Sequence, residues 1–507
     1  MRAGRIRVAY VALVVGLVLG LAVTLLTRSG GDTAEPGADA TPTGLARPPA
    51  THVPEPDSEA GPRRTVPEQP NVVLVMVDDM RVDDLAFAPN LRRMIAAHGV
   101  TFDNSFSPFP LCCPARTSFL TGQYAHNHKV FWHTAPYGFG AFDDSRTLAT
   151  SLQRAGYRTG FIGKYLNRYG LDDALVTGAP SYTHVPRGWD DWRAAVEPPP
   201  GSGIHGNTYN YMDTPFNVNG VIDNRYRGVY QTGVIGDMSV DMTRRFARGA
   251  KPFFMYVNYV APHHGGPRAG DEPAPIIGRN GRRIEIVSPA VPDWVRGRFD
   301  DRITRPSGYA RNGEKVERDT SDKPRALQAR LHGVTPRLTA ALTFATRRRA
   351  EAVHVMDRQI ARLVRALKRT GAWRDTVFAF TSDNGMFMGE HGLAMGKVRA
   401  HEPSLRVPLL VTGPGLRTAQ TRQDPISTVD LTATVLDLAD ARPPHTPDGQ
   451  SRVSTLYEGD QGWTTPVVTE AIPVPPGLEP AVARELQNYL LHVAAGDAAS
   501  VLDAPFV

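Results

Sequence analysis

The sequence predicts an α/β domain built on a largely parallel sheet, and three observations predict it. Val72 to Val77 is a valine-rich apolar run bounded by Pro70 and by Asp78-Asp79, the pattern of a strand buried on both faces. Phe253 to Val260 and Thr376 to Thr381 repeat it, each running into polar residues at its carboxyl end. Between them, Ala345 to Thr370 carries Val353, Met356, Ile360, Leu363, Val364 and Leu367 on one helical face and stops at Gly371, as a helix packed on a sheet does.

Taken in order, the chain opens with Val8 to Leu26, an uncharged apolar run of nineteen residues preceded by Arg2, Arg5 and Arg7. That length spans a bilayer, and the arginines place the amino terminus in the cytoplasm. A signal anchor is favoured over a cleaved signal peptide, and either exports the remainder. Ser29 to Gln69 is rich in Pro, Ala, Gly and Thr without hydrophobic period, so it reads as an extended, disordered spacer. Asn90 to His98 and Thr147 to Ala155 read as helices closed by Gly99 and Gly156, and Arg158 to Ile162 as a strand delivering Gly163-Lys164. Asp172 to Gly228 shows no clear period and reads as loops. Ile235 to Phe246 reads as a helix, and Gly265 to Thr335 as a Pro/Arg/Gly-rich surface excursion. Val407 to Val411 reads as a further strand.

The length allows one large domain or two smaller ones. Lys plus Arg exceed Asp plus Glu by 57 − 51 = 6, a balance that favours acidic partners. The basic residues are scattered and no nucleic-acid motif accompanies them, so no nucleic-acid partner is expected.

The two cysteines stand side by side in Leu111-Cys112-Cys113-Pro114-Ala115-Arg116-Thr117-Ser118-Phe119-Leu120-Thr121-Gly122. Neighbouring Cα atoms lie about 3.8 Å apart, short for a disulfide, so the pair argues for a reactive thiol and against a stapled framework. Pro114 suits the first turn of a helix that Thr117 to Leu120 continues, which puts both cysteines at its positive end. Arg116 adds a guanidinium fork that matches a tetrahedral oxyanion. By themselves these residues fit a buried cysteine pair beside a loop proline equally well.

Cys112-x-Pro114-x-Arg116, followed by Leu120-Thr121-Gly122, resembles the signature of the type I sulfatases, in which the first cysteine is oxidised to formylglycine. The doubled cysteine with Tyr124-Ala125-His126-Asn127-His128 is most similar to the N-acetylglucosamine-6-sulfatase and heparan-endosulfatase branch, although Ala115 stands where most members carry Ser. Ala155 to Asn167 resembles the second signature, whose lysine, here Lys164, contacts sulfate. Many sulfatases carry a histidine two residues further on; this chain has Leu166 and then Asn167, so that role would pass to Asn167 or His126. Thr381-Ser382-Asp383-Asn384-Gly385 resembles the third signature. Lys397 stands where the family has its second sulfate-binding lysine, and His263 matches the histidine that contacts the bridging oxygen. His391, in the same stretch as Lys397, is taken as a substrate contact. The similarity covers Pro70 to Leu456 and fades beyond Glu470.

The resemblance implies an alkaline-phosphatase-like fold, a mixed and largely parallel sheet flanked by helices, with a truncated or divergent carboxyl-terminal subdomain. The expected organisation is 1–28 signal anchor or signal peptide, 29–69 linker, 70–460 catalytic domain and 461–507 divergent segment. Asp78, Asp79, Asp383 and Asn384 form a hard oxygen set suited to Ca2+ or Mg2+ and poorly suited to Zn2+; converted Cys112 joins them, and the resemblance selects Ca2+, with Mg2+ the alternative. The activity implied is sulfate monoester hydrolysis on a sulfated sugar by hydrated formylglycine, with Arg116, Lys164 and Lys397 neutralising the sulfate oxygens and His263 or Lys397 protonating the leaving oxygen. The expected partners are a sulfated carbohydrate, a formylglycine-generating enzyme and the membrane through the amino-terminal helix. Rival expectations are a phosphonate monoester or phosphodiester hydrolase using the same formylglycine, and an anchored glycan-binding pseudoenzyme that is never converted.

Overall fold

In the computed structural model, Asn71–Val77 (β1) runs through the middle of a ten-stranded sheet. The structure describes residues 67–277, 283–309, 321, 335–443, 445–462 and 466–471. The apolar run Val8 to Leu26 and most of the spacer lie outside these residues, as does most of the segment beyond Glu470. Among the described residues no helix is long and apolar enough to cross a membrane.

The elements that position the site follow in chain order. After β1 come Pro89–Met94 (α1), Val100–Phe102 (β2), Cys112–Thr121 (α2), Leu148–Arg154 (α3) and Arg158–Lys164 (β3). Asp191–Ala195 (β4), Phe216–Val218 (β5), Val221–Asp223 (β6), Gln231–Phe246 (α4) and Phe253–Tyr259 (β7) continue the chain. Pro336–Arg369 (α5), Thr376–Ser382 (β8), Leu409–Thr412 (β9), Gln420–Arg422 (β10) and Thr428–Leu438 (α6) complete it. The strand order is β10-β2-β9-β8-β1-β7-β3-β4-β5-β6.

The five strands β8-β1-β7-β3-β4 are mutually parallel, and β9 pairs antiparallel with β8. The sheet is therefore mixed and mostly parallel, as expected. Side chains of β1 alternate between two cores: Val72, Leu74 and Met76 enter one, and Val73, Val75 and Val77 the other. Helices α4 and α5 cover the second face, while α2, α3 and α6 pack on the first. Double burial is why β1 reads as an unbroken apolar run, with each such side chain contributing about 1.5–3 kcal/mol. Because β1, β3, β7 and β8 run the same way, the residues that follow them emerge on one edge of the sheet.

The strands Val100–Phe102 and Gln420–Arg422 were not read from the sequence, and two longer stretches also differ from that reading. The segment read as loops, Asp172 to Gly228, supplies β4, β5 and β6. These strands are short and owe their place to packing: the Trp192 ring stacks on Phe161 of β3 at 4.4 Å. The long helix begins at Pro336, where Thr335 accepts from the Leu338 N–H at 3.2 Å. Its first turns carry Leu338, Ala341 and Leu342 into a small separate core with Met386, Met388 and Met395, so they do not share the stripe that faces the sheet.

Candidate active site

Helix α2 is buried along its whole length and begins at Cys112, with extended Leu111 before it and left-handed Gly122 after it. Cys112 is thus at the positive end of the helix. Arg116, one turn later, lies on the same face. Its Nε donates to Asp383 Oδ2 at 2.7 Å, and Nη1 donates to Asn258 Oδ1 at 2.9 Å and to the Lys164 carbonyl at 3.1 Å. The guanidinium therefore ties α2 to the carboxyl ends of β8, β7 and β3.

Each strand end contributes a functional group. β1 delivers Asp78 and Asp79, and Asp79 sits at φ +65°, a strained conformation that aspartate tolerates better than most residues. Arg349 of α5 holds that turn by donating to the Asp79 carbonyl at 2.6 Å and to Asp84 Oδ2 at 2.7 Å. Gly163, the last residue but one of β3, has φ +96°, and an added Cβ there would lie 1.8 Å from the Asn258 carbonyl oxygen of β7. Only glycine permits that approach, which brings Lys164 Nζ to 2.5 Å from Asp78 Oδ2. β8 delivers Asp383 and Asn384. The Asp79 N–H donates to Asp383 Oδ1 at 3.1 Å, and Asn384 Nδ2 donates to Asp79 Oδ1 at 2.6 Å.

Lys397 comes from the loop after β8. That loop is pinned by Arg81, which donates to the Met386 carbonyl and pairs with Glu390, each at 2.6 Å. The result places Lys397 Nζ 2.5 Å from Asp79 Oδ1 and 2.6 Å from Cys112 Sγ. Burial, reinforced by the Asp78 charge, pushes the Cys112 thiol well above its ordinary range, against the pull of Lys164 and Lys397. An unmodified thiol here stays protonated and is a poor nucleophile. Burial pushes Cys113 up to about 12 as well.

His263 follows β7. Its Nδ1 is 2.6 Å from the His264 carbonyl, an acceptor, so Nδ1 carries the proton and Nε2 keeps its lone pair. Burial and the charges of Lys164 and Lys397 hold this imidazole neutral, with its pKa well below the usual value. Nε2 lies 3.6 Å from Asp79 Oδ2.

The donor set fits a hard dication. Ligand atoms of Asp78, Asp79, Cys112 and His263 all lie within 4.8 Å of one another. Asp78 Oδ1, Asp79 Oδ2 and Asn384 Oδ1 are buried with no hydrogen-bond partner, a costly arrangement that a coordinated cation relieves. Both Asp383 oxygens face chain donors: Oδ2 meets Arg116, and Oδ1 meets the N–H groups of Asp79 and Asn384. Three carboxylates thus balance Arg116, Lys164 and Lys397. A dication would leave two positive charges over, which is what an anionic substrate requires.

Of the other sequence-predicted contacts, Asn167 reaches the site. Its Nδ2 donates to the Tyr209 hydroxyl at 2.6 Å, and the Tyr209 ring lies 4.9 Å from His263 and 5.1 Å from Lys164 Nζ. His126 does not join the cluster; its ring is 56% exposed and pairs with Glu470 at 2.7 Å. His391 is exposed at φ +55°, with its ring against His401 and Phe387.

Two residues were missed from sequence. Tyr209 stood in a stretch without period. His133 is 3% exposed, and burial together with the charges of Lys397 and Lys164 holds it neutral, well below its usual range. Its neighbour Trp132 packs on Leu111 and Ala115, with Val398 against the same cluster, which seats this loop over the start of α2. No sequence spacing links His133 to Cys112; tertiary packing alone does so.

The sulfatase family's sequence profile matches residues 70–441. The chain belongs to the sulfatase family. Among curated relatives it is similar to an N-acetylglucosamine-6-sulfatase of Homo sapiens, 30% identical over 396 residues, or 75% of this chain and 62% of that one. It is also similar to an extracellular sulfatase SULF-1 homolog of Drosophila melanogaster, 28% identical over 404 residues, or 76% of this chain and 31% of that one. The chain thus spans less than two thirds of these sulfatases' lengths. Among solved structures, a protein in complex with its substrate D-glucosamine-2-N,6-O-disulfate shares the fold, with a TM-score of 0.55, 23% identity, and coverage of 78% of this chain and 82% of that one. The expected family and fold hold.

Proposed function

We propose that the protein hydrolyses sulfate monoesters of a sulfated sugar, with Cys112 as the site of formylglycine formation. The observation that carries this reading is the buried cluster around Cys112, in which three cations and a set of unpartnered oxygens converge at a helix start. Asp78, Asp79 and Asn384 would hold the metal with residue 112, and Asp383 would join by exchanging its contact with Arg116. Ca2+ is the ion favoured, and it would supply Lewis-acid stabilisation of oxyanions. Converted Cys112 would supply a geminal diol as nucleophile.

The chain's own residues account for the rest. Lys397 lies 2.6 Å from Cys112 Sγ, and Arg116 and Lys164 pair with Asp383 and Asp78 of the same cluster; all three would neutralise the sulfate oxygens where negative charge concentrates. His263, neutral at rest with its acceptor nitrogen toward the cluster, and Lys397 are the groups placed to exchange a proton with the leaving oxygen. Asn167, Tyr209 and His133 would line the sulfate pocket in place of the histidine that Leu166 replaces. The sugar preference rests on the substrates named for the relatives. Export is supported by the apolar run Val8 to Leu26 and by the extracellular relative; that run would anchor the protein in the membrane.

The test is the full-length protein coexpressed with a formylglycine-generating enzyme and assayed on 6-O-, 2-O- and N-sulfated sugars and on phosphonate monoesters. Turnover of a sulfated sugar above all phosphonates is expected. Preference for a phosphonate would replace this reading with the phosphonate hydrolase. Conversion of Cys112 without turnover of any ester would replace it with a binding protein.

A further inference from the structure

Beyond the cluster, the outer face of α5 carries Arg358, Arg362 and Arg365, which line one cavity of about 290 Å³ with Asn90 of α1. At 1.5 Å per residue their Cα atoms span about 10 Å of helix, beginning about 14 Å along it from Arg349, which supports Asp79. Arg358 stacks over the ring of Trp294 at 4.7 Å, and that indole is 54% exposed. Arg362 bonds Gln359 at 2.6 Å and Asp237 of α4 at 2.5 Å. Among the described residues neither Arg358 nor Arg365 meets a carboxylate. Arg93 of α1, whose guanidinium bonds Asn90 at 2.8 Å, adds a fourth positive charge beside them.

We propose that this face is a secondary binding site for a sulfated polysaccharide chain, distinct from the cluster at Cys112. Guanidinium forks match sulfate oxygens, so Arg358 and Arg365 each suit one sulfate, and Arg362 would do so by exchanging its contact with Asp237. The row is too long for one small anion to meet all three, whereas a polymer with repeated sulfates meets them in sequence. The exposed indole beside Arg358 offers an apolar face to the C–H groups of a sugar ring, which bare charge recognition does not need. The site deepens the proposed function by naming a polymer as the substrate class: a polysaccharide held on α5 and long enough to reach the Cys112 cluster would have its effective concentration there raised. It rests on that reading only for its biological use, since binding itself requires no catalysis.

The experiment measures heparin binding by the full-length chain carrying Cys112→Ala, with and without Arg358→Gln, Arg362→Gln and Arg365→Gln together. The triple variant should bind at least tenfold more weakly at low salt, and its log Kd should depend on log salt with a slope shallower by about two to three, as counterion release predicts. Trp294→Ala, which leaves every charge in place, should weaken heparin binding without changing the salt slope. In the converted enzyme, the triple variant should hydrolyse a small aryl sulfate at the parent rate. Equal heparin affinity of parent and triple variant would overturn the proposal, as would equal affinity of the parent for duplex DNA. Loss of heparin binding in the triple variant, with no sulfate ester hydrolysed by the converted parent, would leave this site standing and refute the proposed function.

Discussion

His128 fastens α2, and acid should release it. The residue is 8% exposed, and its Nδ1 accepts the Val130 N–H at 3.1 Å while Nε2 lies 2.9 Å from Ser118 Oγ on α2. Because Nδ1 is the acceptor, Nε2 carries the only ring proton. A second proton would face the Val130 N–H inside the core. Burial accordingly lowers the pKa from 6.5 to about 3. The folded pKa lies below the unfolded one, so the unfolded state binds more protons throughout that window. Stability from this residue is complete above pH 6.5 and declines as pH falls toward about 3. In the middle of the window, the loss approaches about 1.4 kcal/mol per pH unit, and over the whole window it is on the order of 5 kcal/mol. Denaturant unfolding of the parent and His128→Gln at pH 7, 6, 5 and 4 isolates the term, because His133 and His263 are common to both. The slope against pH should be shallower in the variant by nearly one proton. Identical slopes would refute the assigned tautomer and its burial penalty.

Three further outcomes follow from the site. Gly163→Ala places a methyl 1.8 Å from the Asn258 carbonyl at φ +96°; it should cost about 3 kcal/mol or more in denaturant stability, and a change below about 0.5 kcal/mol would contradict the close approach. Arg349→Met removes the partner of buried Asp84 and should destabilise by about 3–5 kcal/mol, with Arg349→Met/Asp84→Asn recovering part of that loss in a double-mutant cycle. Exhaustive chelation, like Asp78→Asn, should abolish ester hydrolysis while circular dichroism stays unchanged, and added Ca2+ should restore the chelated parent but not the variant.

The sequence showed most clearly what double burial writes into it. The apolar runs that became β1, β7 and β8 had no reading other than core strands, and the polar residues after them fell where parallel strands end. The Cys112-Pro114-Arg116 spacing exposed the start of α2 because a helix turn keeps residues 112 and 116 on one face. β4, β5 and β6 were invisible because a five-residue strand such as Asp-Trp-Arg-Ala-Ala has no decisive period, and Trp192 packing on Phe161 supplies what propensity does not. Tyr209 and His133 come beside Lys164 and His263 through loops whose course depends on tertiary contacts. His126 carried a motif resemblance yet faces Glu470, because it sits on a short helix, Ala125–His128, that turns its ring outward.

The central claim is that residue 112 becomes the nucleophile within this cluster. Its most direct test is peptide mass spectrometry across α2 after coexpression with a formylglycine-generating enzyme, with sulfate ester turnover measured on the same preparations. An aldehyde should appear at Cys112 and not at Cys113, since only Cys112 has Pro two and Arg four residues on, and turnover should scale with the converted fraction. Full turnover with both thiols intact, or with the aldehyde at Cys113, would contradict the account.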